Sequence, residues 1–114
     1  MKTTTAVASL AALAQQSRLA VFRLLVKKGP NGLPAGQIAE RLELSPATLS
    51  FHLKELSNAG LVQSRQDGRF VIYAADFDAM NSLIAFLTEN CCAESSCAPE
   101  SNLCRPKTTT RSRQ

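Results

Sequence analysis

Tryptophan is absent from the 114 residues, tyrosine occurs once and phenylalanine five times. A core so poor in aromatics must be built from Leu, Ala, Val and Ile, a composition that suits packed helices. Cysteine is missing from the first 90 positions; all four, Cys91, Cys92, Cys97 and Cys104, lie near the end. A disulfide framework stapling distant parts of a small fold is thereby excluded. No apolar run approaches the roughly 20 residues of a membrane span. The start, Met1-Lys2-Thr3-Thr4-Thr5, has no apolar h-region, and the Ala-rich stretch behind it is broken by Ser9 and followed by Gln15-Gln16, so no secretory signal is expected. The expected location is cytoplasmic, where thiols stay reduced and clustered cysteines bind soft ions or sense redox state. Phosphatase-type Cys-x5-Arg cradles, a phosphate-binding Gly-rich loop and a C-x-x-C motif are all missing. A thiol enzyme such as an arsenate reductase is therefore not expected, and the chain is read as a non-enzyme.

What remains is one domain's worth of chain, 45% hydrophobic, with a formal net charge of +4. Residues 1–90 hold nine basic and seven acidic side chains, and residues 91–114 hold four and two. That balance permits nucleic-acid binding without requiring it.

Helical periodicity and punctuation divide the chain. A short first helix is expected over residues 6–14. A second runs from Arg18 to Lys28, capped by Ser17 and stopped by Lys27-Lys28-Gly29. Pro34 opens a third, over 35–42. Ser45-Pro46 is the sharpest start signal, with Ser at the N-cap and Pro at the first helical position. The fourth helix then runs to about Ala59 and ends at Gly60, with Leu49, Leu53 and Leu56 on one buried stripe. Two β-compatible runs, 62–66 and 69–74, flank Asp67-Gly68 and predict a hairpin turning on that dipeptide. A fifth helix starts near Asp76 or Asp78, with Met80, Leu83, Ile84 and Leu87 at helical spacing and Phe77 and Phe86 widening the apolar surface. Residues 1–90 are expected to form this domain. Residues 91–114 are expected to be a cysteine-bearing flexible tail, with the last ten residues disordered.

A short helix, a tight turn and a capped helix make a helix-turn-helix, and the hairpin after it makes a wing. The fold class is thus mostly α with a small β-hairpin wing, a winged helix-turn-helix. Burying the Leu stripe leaves a face of small polar side chains that can enter the major groove of double-stranded DNA. Ala47, Thr48, Ser50 and Phe51 are the candidate base-edge readers; Lys54 and the wing residues Arg65 and Arg69 are candidates for phosphate contact, a wing Arg also suiting the minor groove. Each taken singly also fits a solvated surface residue. His52, beside Leu53, reads as a half-buried structural histidine rather than a contact or ligand.

The run Ser45-Pro46-Ala47-Thr48-Leu49-Ser50-Phe51-His52-Leu53-Lys54-Glu55-Leu56, followed by Ala59-Gly60-Leu61-Val62, resembles the recognition helix of the ArsR/SmtB family, roughly S-x-x-T-[VL]-S-x-H-L-x-x-L then A-G-L-V. Ser17-Arg18-Leu19 through Leu24-Leu25, and the wing from Arg65 to Tyr73, are similar to the same family, so the resemblance spans about residues 7–88. It implies a homodimer on a palindromic operator, with first and last helices at the interface. The wide apolar surfaces of those helices independently call for a partner. Phe51 departs from the basic residue or His common at its position.

Two of the family's sensor sites are missing. The segment Pro34-Ala35-Gly36-Gln37 carries no cysteine, and no histidine follows Asp76 and Asp78. Thr88-Glu89-Asn90-Cys91-Cys92 resembles the C-terminal arsenic site of a third group of these repressors. That resemblance implies an inducer, As(III) or Sb(III), held by Cys91, Cys92 and Cys97, with Cys104 as a spare or alternative sulfur. Trivalent arsenic and antimony are soft and three-coordinate, so a pyramid of thiolates suits them. Redox sensing by a disulfide or persulfide, and capture of cadmium, lead or zinc, stay open as alternatives. The expected mechanism is that capture tethers the tail, shifts the last helix and spoils the match to half-sites about 34–36 Å apart.

Overall fold

The computed structural model describes residues 1–94. Cys97, Cys104 and the last ten residues lie outside that range. The elements run α1 (Thr3–Leu13), α2 (Gln16–Lys28), β1 (Leu33–Pro34), α3 (Ala35–Leu42), α4 (Pro46–Asn58), β2 (Val62–Asp67), β3 (Phe70–Ala75) and α5 (Phe77–Thr88). No helix among the described residues is long and apolar enough to cross a membrane.

Local chemistry explains most boundaries. The Ser45 side chain accepts from the Thr48 N–H at 3.2 Å with Pro46 first in α4, as the sequence predicts. Asp76 caps α5, its carboxylate accepting from the Ala79 N–H at 2.9 Å. At α2 the expected cap is wrong. Gln15, not Ser17, is the N-cap, accepting from the Arg18 N–H at 2.8 Å, and α2 starts two residues earlier than expected. The Gln15 backbone is extended, and its longer side chain still reaches the first turn. Between α3 and α4 the chain reverses at Glu43 in the left-handed region (φ 56°), and Leu44 N–H donates to the Ala39 carbonyl at 3.0 Å. That three-residue reversal is the turn of the helix-turn-helix.

The sheet has strand order β1-β3-β2, antiparallel throughout. Asp67 pairs with Phe70, so the two loop residues are Gly68 and Arg69, one position later than the Asp67-Gly68 turn the sequence suggested. Gly68 alone has positive φ, 63°, and Gly at the first loop position is the type II′ solution that matches strand twist. The two-residue β1 was not expected; Leu33 pairs with Tyr73 and Pro34 with Ile72. Gly32 enters this strand at φ 71°, and a Cβ there would collide with the Tyr73 carbonyl.

The core joins Val21, Phe22 and Leu25 of α2, Ile38 and Ala39 of α3 and the Leu49, Leu53, Leu56 stripe of α4 with Leu33, Leu61, Val62 and Ala75 from the sheet side. Each Leu of the stripe is almost wholly buried and contributes about 1.5–3 kcal/mol by leaving water. The stripe turns α4 so that its other face points outward. On α1 and α5 the opposite holds: Val7, Leu10, Ile84 and Leu87 are large, apolar and exposed.

Candidate nucleic-acid interface and thiol site

On α4, Ala47, Thr48, Ser50, Phe51 and Lys54 are all exposed. They share the surface left over once Leu49, Leu53 and Leu56 are buried, so one helix presents all five expected residues together. The Thr48 hydroxyl accepts from Ser45 Oγ at 2.8 Å, which holds it at the helix start while leaving its own proton for an outside acceptor. Phe51 is 56% exposed, unusual for a large aromatic on a domain surface.

On the wing, Arg65 and Arg69 are exposed. Arg65 donates from Nη2 to the Asn31 carbonyl at 2.9 Å, so its guanidinium is tethered to the loop before β1 and keeps further N–H groups for an anion. Arg69 sits at the tip of the hairpin. Phe70 beside it is 62% exposed, and Val71 is exposed as well. Two residues along, Ile72 is buried; it pairs with Pro34 of β1, and Phe70 lies beyond the end of that pairing.

His52 is 6% exposed. Its Nδ1 lies 3.4 Å from Arg18 Nη1. Arg has only donors, so Nδ1 is the acceptor and the ring proton sits on Nε2. Burial, and secondly the positive Arg18, hold the His52 pKa below its ordinary value. The sequence suggested a half-buried structural histidine, and the ring is in fact buried; the Arg18 partner, 34 residues away, carried no local signal.

The helix α5 stops before the cysteines. Asn90 and Cys92 adopt positive φ, and Cys91 N–H donates to the Thr88 carbonyl at 3.0 Å. The backbone therefore leaves the helical path and brings the Cys91 and Cys92 sulfurs to 3.5 Å. A three-coordinate centre with sulfur bonds near the 2.3 Å of thiolate zinc, and angles slightly above a right angle, separates its sulfurs by about 3.3–3.5 Å. The vicinal pair thus has a suitable bite. Cys92 is disulfide-bonded in this structure, so its use as a ligand requires reduction first. Among the described residues, no group of three or more His, Cys, Asp or Glu side chains converges to hold an ion.

Residues 13–65 match the helix-turn-helix domain family. The chain is 35% identical over 82 residues to the transcriptional activator HlyU of Vibrio cholerae, covering 72% of this chain and 73% of that protein. It superposes on an ArsR-like transcriptional regulator from Rhodococcus with TM-score 0.66 at 28% identity, covering 74% of this chain and 76% of that one. The chain belongs to the ArsR/SmtB family. A further family structure, described as a possible transcriptional regulator for arsenical resistance, matches with TM-score 0.61 at 30% identity over 69% of this chain and 79% of that one. As an ArsR/SmtB regulator the chain is a winged helix-turn-helix DNA-binding protein, with α3 and α4 as the paired helices and β2–β3 as the wing.

Proposed function

We propose that this ArsR/SmtB protein is a repressor that binds operator DNA as a homodimer and releases it when As(III) or Sb(III) is captured by Cys91, Cys92 and Cys97. The observation that carries the reading is the 3.5 Å approach of two adjacent sulfurs directly after α5, the helix whose Ile84 and Leu87 are exposed. Once Cys92 is reduced, the two sulfurs supply a soft bidentate bite. Their position couples them to the face that a second copy would cover, because Val7 and Leu10 of α1 offer a matching apolar surface. The related protein described in connection with arsenical resistance supports the choice of inducer.

In the bound state Ala47, Thr48, Ser50 and Phe51 of α4 lie against base edges in the major groove. Lys54, Arg65 and Arg69 neutralise phosphates. Capture of the metalloid by Cys91, Cys92 and Cys97, with Cys104 as an alternative sulfur, draws the chain beyond α5 together. The segment leaving α5 then moves, and the two reading helices no longer match their half-sites. A shift of about 1–3 kcal/mol is typical of such coupling.

One observation favours a second reading. Cys92 is disulfide-bonded, and a regulator that lets go of DNA on thiol oxidation would use that chemistry directly. A single titration separates the two. A labelled duplex bound to the reduced protein is challenged in parallel with arsenite, antimonite, cadmium, zinc and hydrogen peroxide. Release by the trivalent metalloids at the lowest concentrations is expected. Release by peroxide alone would replace metalloid sensing with redox sensing, and no release by any of them would end the sensor proposal.

A further inference from the structure

Arg18 occupies the first turn of α2 and is half-buried there. Its guanidinium meets three groups on two other helices at once. Nε donates at 2.8 Å to the Ala12 carbonyl, in the last turn of α1, where helix carbonyls lack an intrahelical partner. Nη1 points at His52 Nδ1 of α4, 3.4 Å away. The guanidinium carbon lies 5.9 Å from the centre of the Phe51 ring, within cation–π range. Phe51 and His52 are themselves in tilted ring contact at 5.8 Å.

A crevice of about 250 Å³ separates α1 from α4, walled on the α1 side by Ala8, Ala11 and Ala12 and on the α4 side by Glu55. Alanines have no reach to interdigitate, so the placement of α1 against α4 is not fixed there by large side chains. A planar fork of donors can do what they cannot, because its hydrogen bonds are directional and its face is available for stacking.

We infer that Arg18 is a positioning residue that ties the end of α1 to the recognition helix, fixes the His52 tautomer and sets the pose in which Phe51 meets DNA. This rests on the reading that α4 enters the groove, and adds the means by which that helix is held. It also supplies a physical route by which movement of α1, the helix with exposed Val7 and Leu10, reaches the reading face.

The test uses the full chain and two fluorescein-labelled duplexes of equal length, one selected by the wild-type protein from a random library and one scrambled. Arg18→Lys keeps the charge and stem, but one ammonium cannot serve the Ala12 carbonyl, the His52 nitrogen and the Phe51 face together. It is expected to stay folded at the assay temperature and to lose roughly tenfold or more in affinity for the selected duplex, within the range of such couplings, with a much smaller loss on the scrambled one. In wild type, ¹⁵N NMR of the one histidine is expected to show the Nε2–H tautomer, a readout that needs no variant. A lowered melting temperature with an unchanged selected-to-scrambled ratio would overturn the inference, and so would the Nδ1–H tautomer in wild type. Wild-type protein that prefers no duplex would remove the DNA reading itself and this inference with it. Discrimination that is intact in Arg18→Lys removes the inference alone.

Discussion

Phe51→Ala separates a reading residue from a structural one. The ring is 56% exposed, which on a side chain of about 200 Å² leaves about 110 Å² for the groove to cover. At about 25 cal/mol per Å² the ceiling is about 3 kcal/mol for each recognition helix. Packing against thymine methyls and sugar edges is less complete than core packing, so the expected loss is about 1–2 kcal/mol, or roughly five- to thirtyfold in affinity per helix. Folding stability should barely move. The ring gives up its partial stacking on Arg18 and His52, while Ala gains about 0.5 kcal/mol in helix propensity. The net change is therefore expected within about 1 kcal/mol. Fluorescence anisotropy on a selected duplex reads the first quantity and urea unfolding reads the second. Unchanged affinity would show that the outward aromatic is surface and not site. A loss of about 3 kcal/mol in stability, the scale of a truncated core aromatic, would show that its main role is in the fold.

Other consequences are as specific. Lys54→Gln leaves one phosphate per helix without its cation, so the slope of log affinity against log salt should become shallower by about 0.9 for each such phosphate, with sequence preference retained; an unchanged slope would take Lys54 off the DNA. Gly32→Ala puts a Cβ on a left-handed residue against the Tyr73 carbonyl. It should cost at least about 1–3 kcal/mol in urea unfolding, and detach β1 from β3. The lowered pKa of His52 gives a pH dependence with a definite sign. As pH falls through about 6.5 the unfolded chain takes up a proton that the folded His52 refuses, so stability drops until the folded ring is also protonated, and it is flat above that range. His52→Asn should remove this part of the dependence when urea midpoints are compared between about pH 7.5 and about pH 5.5, on either side of the ordinary histidine value.

Features encoded over a few residues were legible before the fold was known. Ser45-Pro46 specifies the start of α4, and the Leu49, Leu53, Leu56 spacing specifies which side faces inward, so the outward set from Ala47 to Lys54 followed directly. Features set by pairing across the chain were not. The wing turn slipped one residue because the Asp67–Phe70 pair, rather than the Asp-Gly dipeptide, sets the register. β1 is too short to show periodicity and exists through its pairing with β3. Arg18 looked like an ordinary residue of α2; its partners at Ala12 and His52 come from two other helices. At the thiol site the adjacency of Cys91 and Cys92 was plain. Asn90, just past the end of α5, is a residue type that favours the left-handed region, but the second left-handed turn at Cys92, which helps bring the sulfurs together, has no local signature.

The most direct measurement follows the anisotropy of a labelled, selected duplex bound by the fully reduced chain as arsenite is added, in parallel for wild type and Cys91→Ser. Wild type should release the duplex, while the variant binds it with the same starting affinity and holds it through the same arsenite range. Wild type that keeps its DNA, or a variant that releases it equally well, would contradict the claim that sulfurs at the end of α5 govern the grip of α4 on DNA.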